Sequence, residues 1–98
     1  MKMYRHGDIF LREVNKLPVG AKKKQGRVIA EGEATGHKHK VKGDATLYEK
    51  DGVLYLAVEG ETAPLTHQEH KTIEIPKGNY EIIQQQEYTP EVWRMVVD

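Results

Sequence analysis

The chain has 98 residues, with 15 Lys+Arg balanced by 15 Asp+Glu, five histidines and no cysteine. That length carries apolar surface for one core, so a single domain over residues 1–98 is expected. The missing cysteines exclude disulfides, a thiolate nucleophile and thiolate-held zinc or iron–sulfur, so any metal must be held by His, Asp or Glu.

In chain order, apolar periodicity of two dominates, in short runs rich in β-branched and aromatic residues separated by Gly, Pro, Asn or Asp. Asp8 to Val14 reads as a first strand, and Leu17-Pro18-Val19-Gly20 opens a connection that carries the lysine run. A strand resumes over Arg27 to Glu31. His37 to Lys42 alternates so that His37, His39 and Val41 share one face and Lys38, Lys40 and Lys42 the other. Thr46 to Glu49 and Val53 to Val58 flank Lys50-Asp51-Gly52, and Asp-Gly suits the positive φ angles of a tight hairpin turn. Ala63 to Thr66 and Lys71 to Ile75 bracket a loop with His67 and His70. Pro76-Lys77-Gly78-Asn79 reads as a turn into a strand over Tyr80 to Gln86. From Thr89-Pro90-Glu91 onward the pattern admits a capped helical turn, with Val92, Met95 and Val96 on one face, or an alternating strand over residues 92–97; the strand is favoured. About seven short strands with almost no helix signal predict an all-β domain, a small barrel or sandwich.

The balanced net charge conceals a gradient. Ala21 to Lys42 holds seven bases against two acids, whereas Glu59 to Glu91 holds seven acids against two lysines. Such asymmetry suits an anionic ligand on one face, or pairing of complementary faces in a homodimer. No apolar stretch reaches the roughly 20 residues of a membrane helix, and the start MKMYRHGD lacks the apolar segment of a signal peptide. A cytoplasmic protein without membrane contact is therefore expected.

Four histidines fall into two tight groups, His37-Lys38-His39 and His67-Gln68-Glu69-His70. His-x-His on a strand turns two imidazoles to one side, and imidazole is the commonest protein ligand for divalent transition metals. One expectation is therefore a metal centre of His37, His39, His67 and His70, with Glu33 or Glu69 as an oxygen ligand. The other needs no cofactor. Two histidines beside lysines and the glycine-framed Gly32-Glu33-Ala34-Thr35-Gly36 could perform acid–base chemistry on a phosphodiester, with RNA supplying its own 2′-hydroxyl as nucleophile. His37 and His67 would then be the catalytic pair. His39 and His70 would orient them, Glu69 would fix a tautomer, Lys38 or Lys40 would hold phosphate, and the Tyr88 phenol could donate to the ligand. A third reading is non-catalytic binding of an anionic nucleotide or of a partner. His6, in Arg5-His6-Gly7-Asp8, reads as a structural histidine outside the site.

Two resemblances arise at these residues. Gly32, His37 and His39 resemble the first motif of the cupins, and Pro76-Lys77-Gly78 resembles their second, which implies a small β-barrel with a histidine-held metal. Glu49 is farther from His39 than that family's glutamate, and no histidine follows Pro76-Lys77-Gly78. More of the chain resembles a group of short bacterial and phage proteins, through the run Ala30 to His39 with its Thr-Gly-His-x-His motif, through Leu65-Thr66-His67-x-Glu69-His70, and through Gln84 to Tyr88. This second resemblance implies a recurring small protein built around its histidine-bearing loops.

Overall fold

The computed structural model describes residues 2–31 and 37–84. The glycine-framed loop with Glu33, the aromatic Tyr88 and the C-terminal strand expected over 92–97 lie outside the described residues. Eight strands follow in order: β1 (Met3–His6), β2 (Ile9–Val14), β3 (Lys22–Lys24), β4 (Val28–Glu31), β5 (Lys38–Val41), β6 (Ala45–Lys50), β7 (Val53–Thr66) and β8 (Ile73–Gln84). All pair antiparallel in one sheet of order β1-β2-β8-β7-β5-β4, while β6 pairs with β7 and with β3. The protein is thus all-β, as its periodicity predicts, but it is a curled open sheet and not a closed barrel. Among the described residues no helix is long and apolar enough to cross a membrane.

The two hairpins with two-residue turns show the local chemistry at work. Asp51 and Gly52 both have positive φ, 52° and 80°, as the primed turn between β6 and β7 requires. Gly7 has φ 64° and is the first turn residue between β1 and β2, where a glycine is the usual solution. The register that follows, Tyr4 opposite Leu11 and His6 opposite Ile9, turns Tyr4, His6, Ile9 and Leu11 to the inner face.

Four expectations need correction. Met3–His6 is a strand, although the sequence reading began the first strand at Asp8. The lysine run Lys22–Lys24 is also a strand, exposed and, among the described residues, paired only with β6. Three lysines on such an edge oppose pairing with another chain, which explains a strand that no apolar pattern announces. The two runs on either side of residue 60 form one strand, β7, which changes partner from β6 to β5 across an irregularity between Val58 and Thr62. There the Asp44 carbonyl accepts the amides of Glu59 and Gly60 at 2.8 and 3.2 Å. Lastly, Pro76-Lys77-Gly78-Asn79 lies inside β8 and is not a turn. The β2 pairing ends at Asn79, so Pro76 occupies a stretch of β8 where its missing N–H removes no bond to β2. The Tyr80 hydroxyl donates to the Pro76 carbonyl at 2.6 Å and secures this bend.

The core is the inner face of the curl. Ile9, Leu11, Leu47, Leu56, Leu65, Ile75, Val41 and Tyr80 are fully buried there. Burial, followed by the Tyr4 and Glu13 neighbours, pushes the Tyr80 phenol up to about 12, and its ring meets that of Tyr4 edge-on at 5.9 Å. At one end of this apolar face the residue type changes abruptly from aliphatic to histidine.

Candidate functional site

His6 ends β1, His39 lies in β5, and His67 and His70 stand in the loop between β7 and β8. β1 and β5 are four strand positions apart in the sheet order, which in a flat sheet would separate them by roughly 19 Å. Curling brings their side chains together instead. Nδ1 of His6 is 2.9 Å from Nδ1 of His39, and both residues are only 3% exposed. They are the only buried polar residues among the described ones.

The four rings of His6, His39, His67 and His70 are mutual neighbours. Ring centres are 5.0 Å apart for His6–His39, 6.3 Å for His6–His67, 5.6 Å for His6–His70, 4.4 Å for His39–His67, 5.9 Å for His39–His70 and 4.5 Å for His67–His70. Four of these distances run from 4.4 to 5.6 Å and the two opposite ones are 5.9 and 6.3 Å, so the four rings form a flattened tetrahedron. His37 stands outside it, its ring 5.6 Å from that of His67 and its Nδ1 3.5 Å from the Glu69 carboxylate.

Three of the inner rings, those of His6, His39 and His67, are anchored by hydrogen bonds, while His70 is exposed. Nε2 of His6 is 2.8 Å from the Lys71 carbonyl oxygen, and Nε2 of His39 is 3.1 Å from Oδ1 of Asp8. The amide of Glu69 donates to Nδ1 of His67 at 2.9 Å, and Gln68 Oε1 accepts the amide of Lys38 at 2.9 Å, which ties the loop to β5. Gly7 explains how closely the β1–β2 turn can approach. A Cβ there would stand 2.6 Å from His70 Nε2 and 3.2 Å from His39 Cε1.

Electrostatically the cluster disfavours its own protonation. Burial, followed by the neighbouring His67 and His6, lowers His39 to about 4 against the opposing pull of Asp8. Burial chiefly lowers His6, and burial followed by His70, His37 and His6 lowers His67. Asp8 is held below the usual carboxylate range: burial acts to raise it, but hydrogen bonds from Gln84, its own backbone and His39 together outweigh that. Among the described residues, no three His, Asp or Glu side chains are already arranged around a common metal position.

Of the residues selected from the sequence, His39, His67 and His70 meet at this end of the sheet, with His37 and Glu69 at its rim. Strand alternation turns Lys38 and Lys40 away from the face that carries His39 and Val41. Three other bases, Lys23, Lys24 and Arg27, line a separate groove of about 390 Å³ with Asp44 and Glu59, and none of the histidines lines it. Two residues at the centre of the cluster, His6 and Asp8, were missed by sequence reasoning. Their signal was the Tyr4-x-His6 alternation leading into Gly7-Asp8, a hairpin turn that returns the chain through Ile9 and Leu11.

The fold and this cluster define a small all-β domain with imidazoles gathered at one end of a curled sheet. By sequence the chain belongs to the family described as Domain of unknown function (DUF8820), whose model matches residues 5–85 and so covers every histidine. No curated protein and no solved structure matches the chain.

Proposed function

We propose that the protein is a metal-binding β-domain in which His6, His39, His67 and His70 take one divalent transition-metal ion. The gathering of four imidazoles with ring centres no more than 6.3 Å apart carries this reading. A zinc–imidazole bond of about 2.0–2.1 Å sets each ring centre about 3 Å from the ion, and hence the centres of two tetrahedral ligands about 5 Å apart. The observed edges run from 4.4 to 6.3 Å. His6 thus replaces His37 in the ligand set expected from the sequence. The cage is incomplete as it stands because His67 spends its Nδ1 on the Glu69 amide. Its ring must give up that bond and turn for the fourth ligand to enter. An all-imidazole set suits zinc, nickel, copper or iron.

The test is stoichiometry. Untagged protein equilibrated with zinc and then exhaustively dialysed is expected to retain one ion per chain by elemental analysis, to lose it in His39→Ala and His70→Ala, and to keep it in His37→Ala. A zinc-free parent protein, or a parent and two ligand variants with equal zinc, refutes the reading.

A second reading rests on the rim. The rings of His37 and His67 meet edge-on with centres 5.6 Å apart, and Glu69 lies beside His37. That geometry supports acid–base action on, or simple binding of, an anionic nucleotide or RNA phosphate. It predicts RNA cleavage that persists in chelator and is lost in His37→Ala. Tight nucleotide uptake without turnover would favour binding alone.

A further inference from the structure

The two buried histidines contain a proton-counting problem. A carbonyl oxygen only accepts, so the 2.8 Å contact of His6 Nε2 with the Lys71 carbonyl puts the imidazole hydrogen on Nε2. An ionised carboxylate also only accepts, so the 3.1 Å contact of His39 Nε2 with Asp8 does the same for His39. A neutral imidazole has a single N–H. Both Nδ1 atoms are therefore lone pairs, and they face each other at 2.9 Å with no hydrogen between them. A cation between the rings resolves the conflict, either a proton that makes one ring an imidazolium or a metal ion. Two ligand nitrogens bonded to one metal at about 2.0–2.1 Å are about 3.3 Å apart at a tetrahedral angle and about 2.9 Å at a right angle, so this pair must open by a few tenths of an ångström to share a tetrahedral ion.

We infer that Asp8 is a positioning residue which, clamped by Gln84, fixes His39 in the Nε2–H tautomer and so aims its Nδ1 at the ion opposite that of His6. This rests on the metal-binding reading for its consequence, though not for its geometry. The backbone carbonyl of Lys71 does the corresponding work for His6 and cannot be altered by substitution. Asp8 can. Its position follows from the fold: the two-residue turn ends at Asp8, and the register pairs the next residue, Ile9, with Gln84. Gln84 Nε2 then donates to Oδ2 of Asp8 at 3.2 Å, leaving Oδ1 for His39. With both oxygens engaged, rotation of the carboxylate away from the ring costs a hydrogen bond. A carboxylate behind a ligating histidine also makes the imidazole a stronger donor, and its loss costs about 10–100-fold in metal affinity in comparable sites.

The experiment compares parent, Asp8→Asn and Asp8→Glu with two readouts. Two-bond proton–nitrogen NMR of the metal-free protein reports the His39 tautomer, and competition with a chromophoric chelator reports zinc affinity. The parent is expected in the Nε2–H form. Asp8→Asn, whose amide can offer its NH₂ group to the ring, should shift His39 toward Nδ1–H and weaken zinc about 10–100-fold. Asp8→Glu should restore the tautomer at least in part. A purely structural role for Asp8 would move neither readout. If Asp8→Asn keeps the parent's tautomer and affinity, or the parent is already Nδ1–H, the inference is overturned. A parent in the Nε2–H form that shifts on Asp8→Asn yet takes up no zinc overturns the metal reading alone and leaves the positioning role standing.

Discussion

Replacing His39 by leucine separates a functional histidine from a structural one. The side chain is 3% exposed, and its two nitrogens meet the half-exposed carboxylate of Asp8 and a second imidazole lone pair. Leucine fills a similar volume and removes the opposed lone pair, while water can rehydrate Asp8. In metal-free buffer the change in stability should therefore stay within about 1 kcal/mol. Metal alters the comparison. An ion at 100 times its dissociation constant stabilises the parent by about 2.7 kcal/mol. In a domain of this size each kcal/mol moves Tm by about 4–8 °C, so zinc should raise the parent's Tm by about 10–20 °C and leave His39→Leu unmoved. Scanning fluorimetry or calorimetry with zinc and with EDTA reads both values. A His39→Leu protein that keeps the full zinc increment, or a parent that shows none, refutes the reasoning. So does a collapse of the metal-free variant by several kcal/mol, which would make His39 a structural core residue.

Other outcomes follow from the same geometry. In metal-free protein, His6, His39 and His67 hold protons less readily than in the unfolded chain, His39 only near pH 4. Their contribution to stability is therefore complete above about pH 6.5 and is lost as pH falls toward 4, which urea melts across that range will show as a falling midpoint. A flat profile would contradict the burial of these rings. Leu56→Ala empties a fully buried position where β7 lies between Leu47 of β6 and Tyr80 of β8. It should cost about 2–5 kcal/mol with the urea m-value unchanged. Gly7→Ala sets a Cβ 2.6 Å from His70 Nε2 at a φ of 64°, so it should cost about 1–3 kcal/mol and weaken zinc in the same competition assay. Arg12→Ala breaks an ion pair with Glu81 whose arginine side is largely exposed, and its effect on Tm should correspond to less than about 1 kcal/mol.

The strand content, the Asp51-Gly52 hairpin and the inward face of β5 were all legible, because period-two alternation and turn chemistry are local properties of the chain. Where the sequence misled, tertiary placement had changed the meaning of a local signal. Pro76 and Gly78 signal a turn in isolation, yet β8 accommodates them because β2 has already ended beside them. The Lys22–Lys24 run is a strand only because β6 offers it an edge.

The histidines show the same division. Sequence spacing was enough to set His37 and His39 on one side of a strand and His67 near His70, since those relations depend on the alternation of neighbouring residues. It could not link His6 to either pair, because 33 positions separate His6 from His39. Only the curl of the sheet, which closes four strand positions into one contact, brings β1 to β5. Nor could it identify Asp8 and Lys71 as the groups that orient the two rings. Which nitrogen of an imidazole carries the hydrogen is set by the acceptor opposite it, and those acceptors come from segments that meet only in the folded chain.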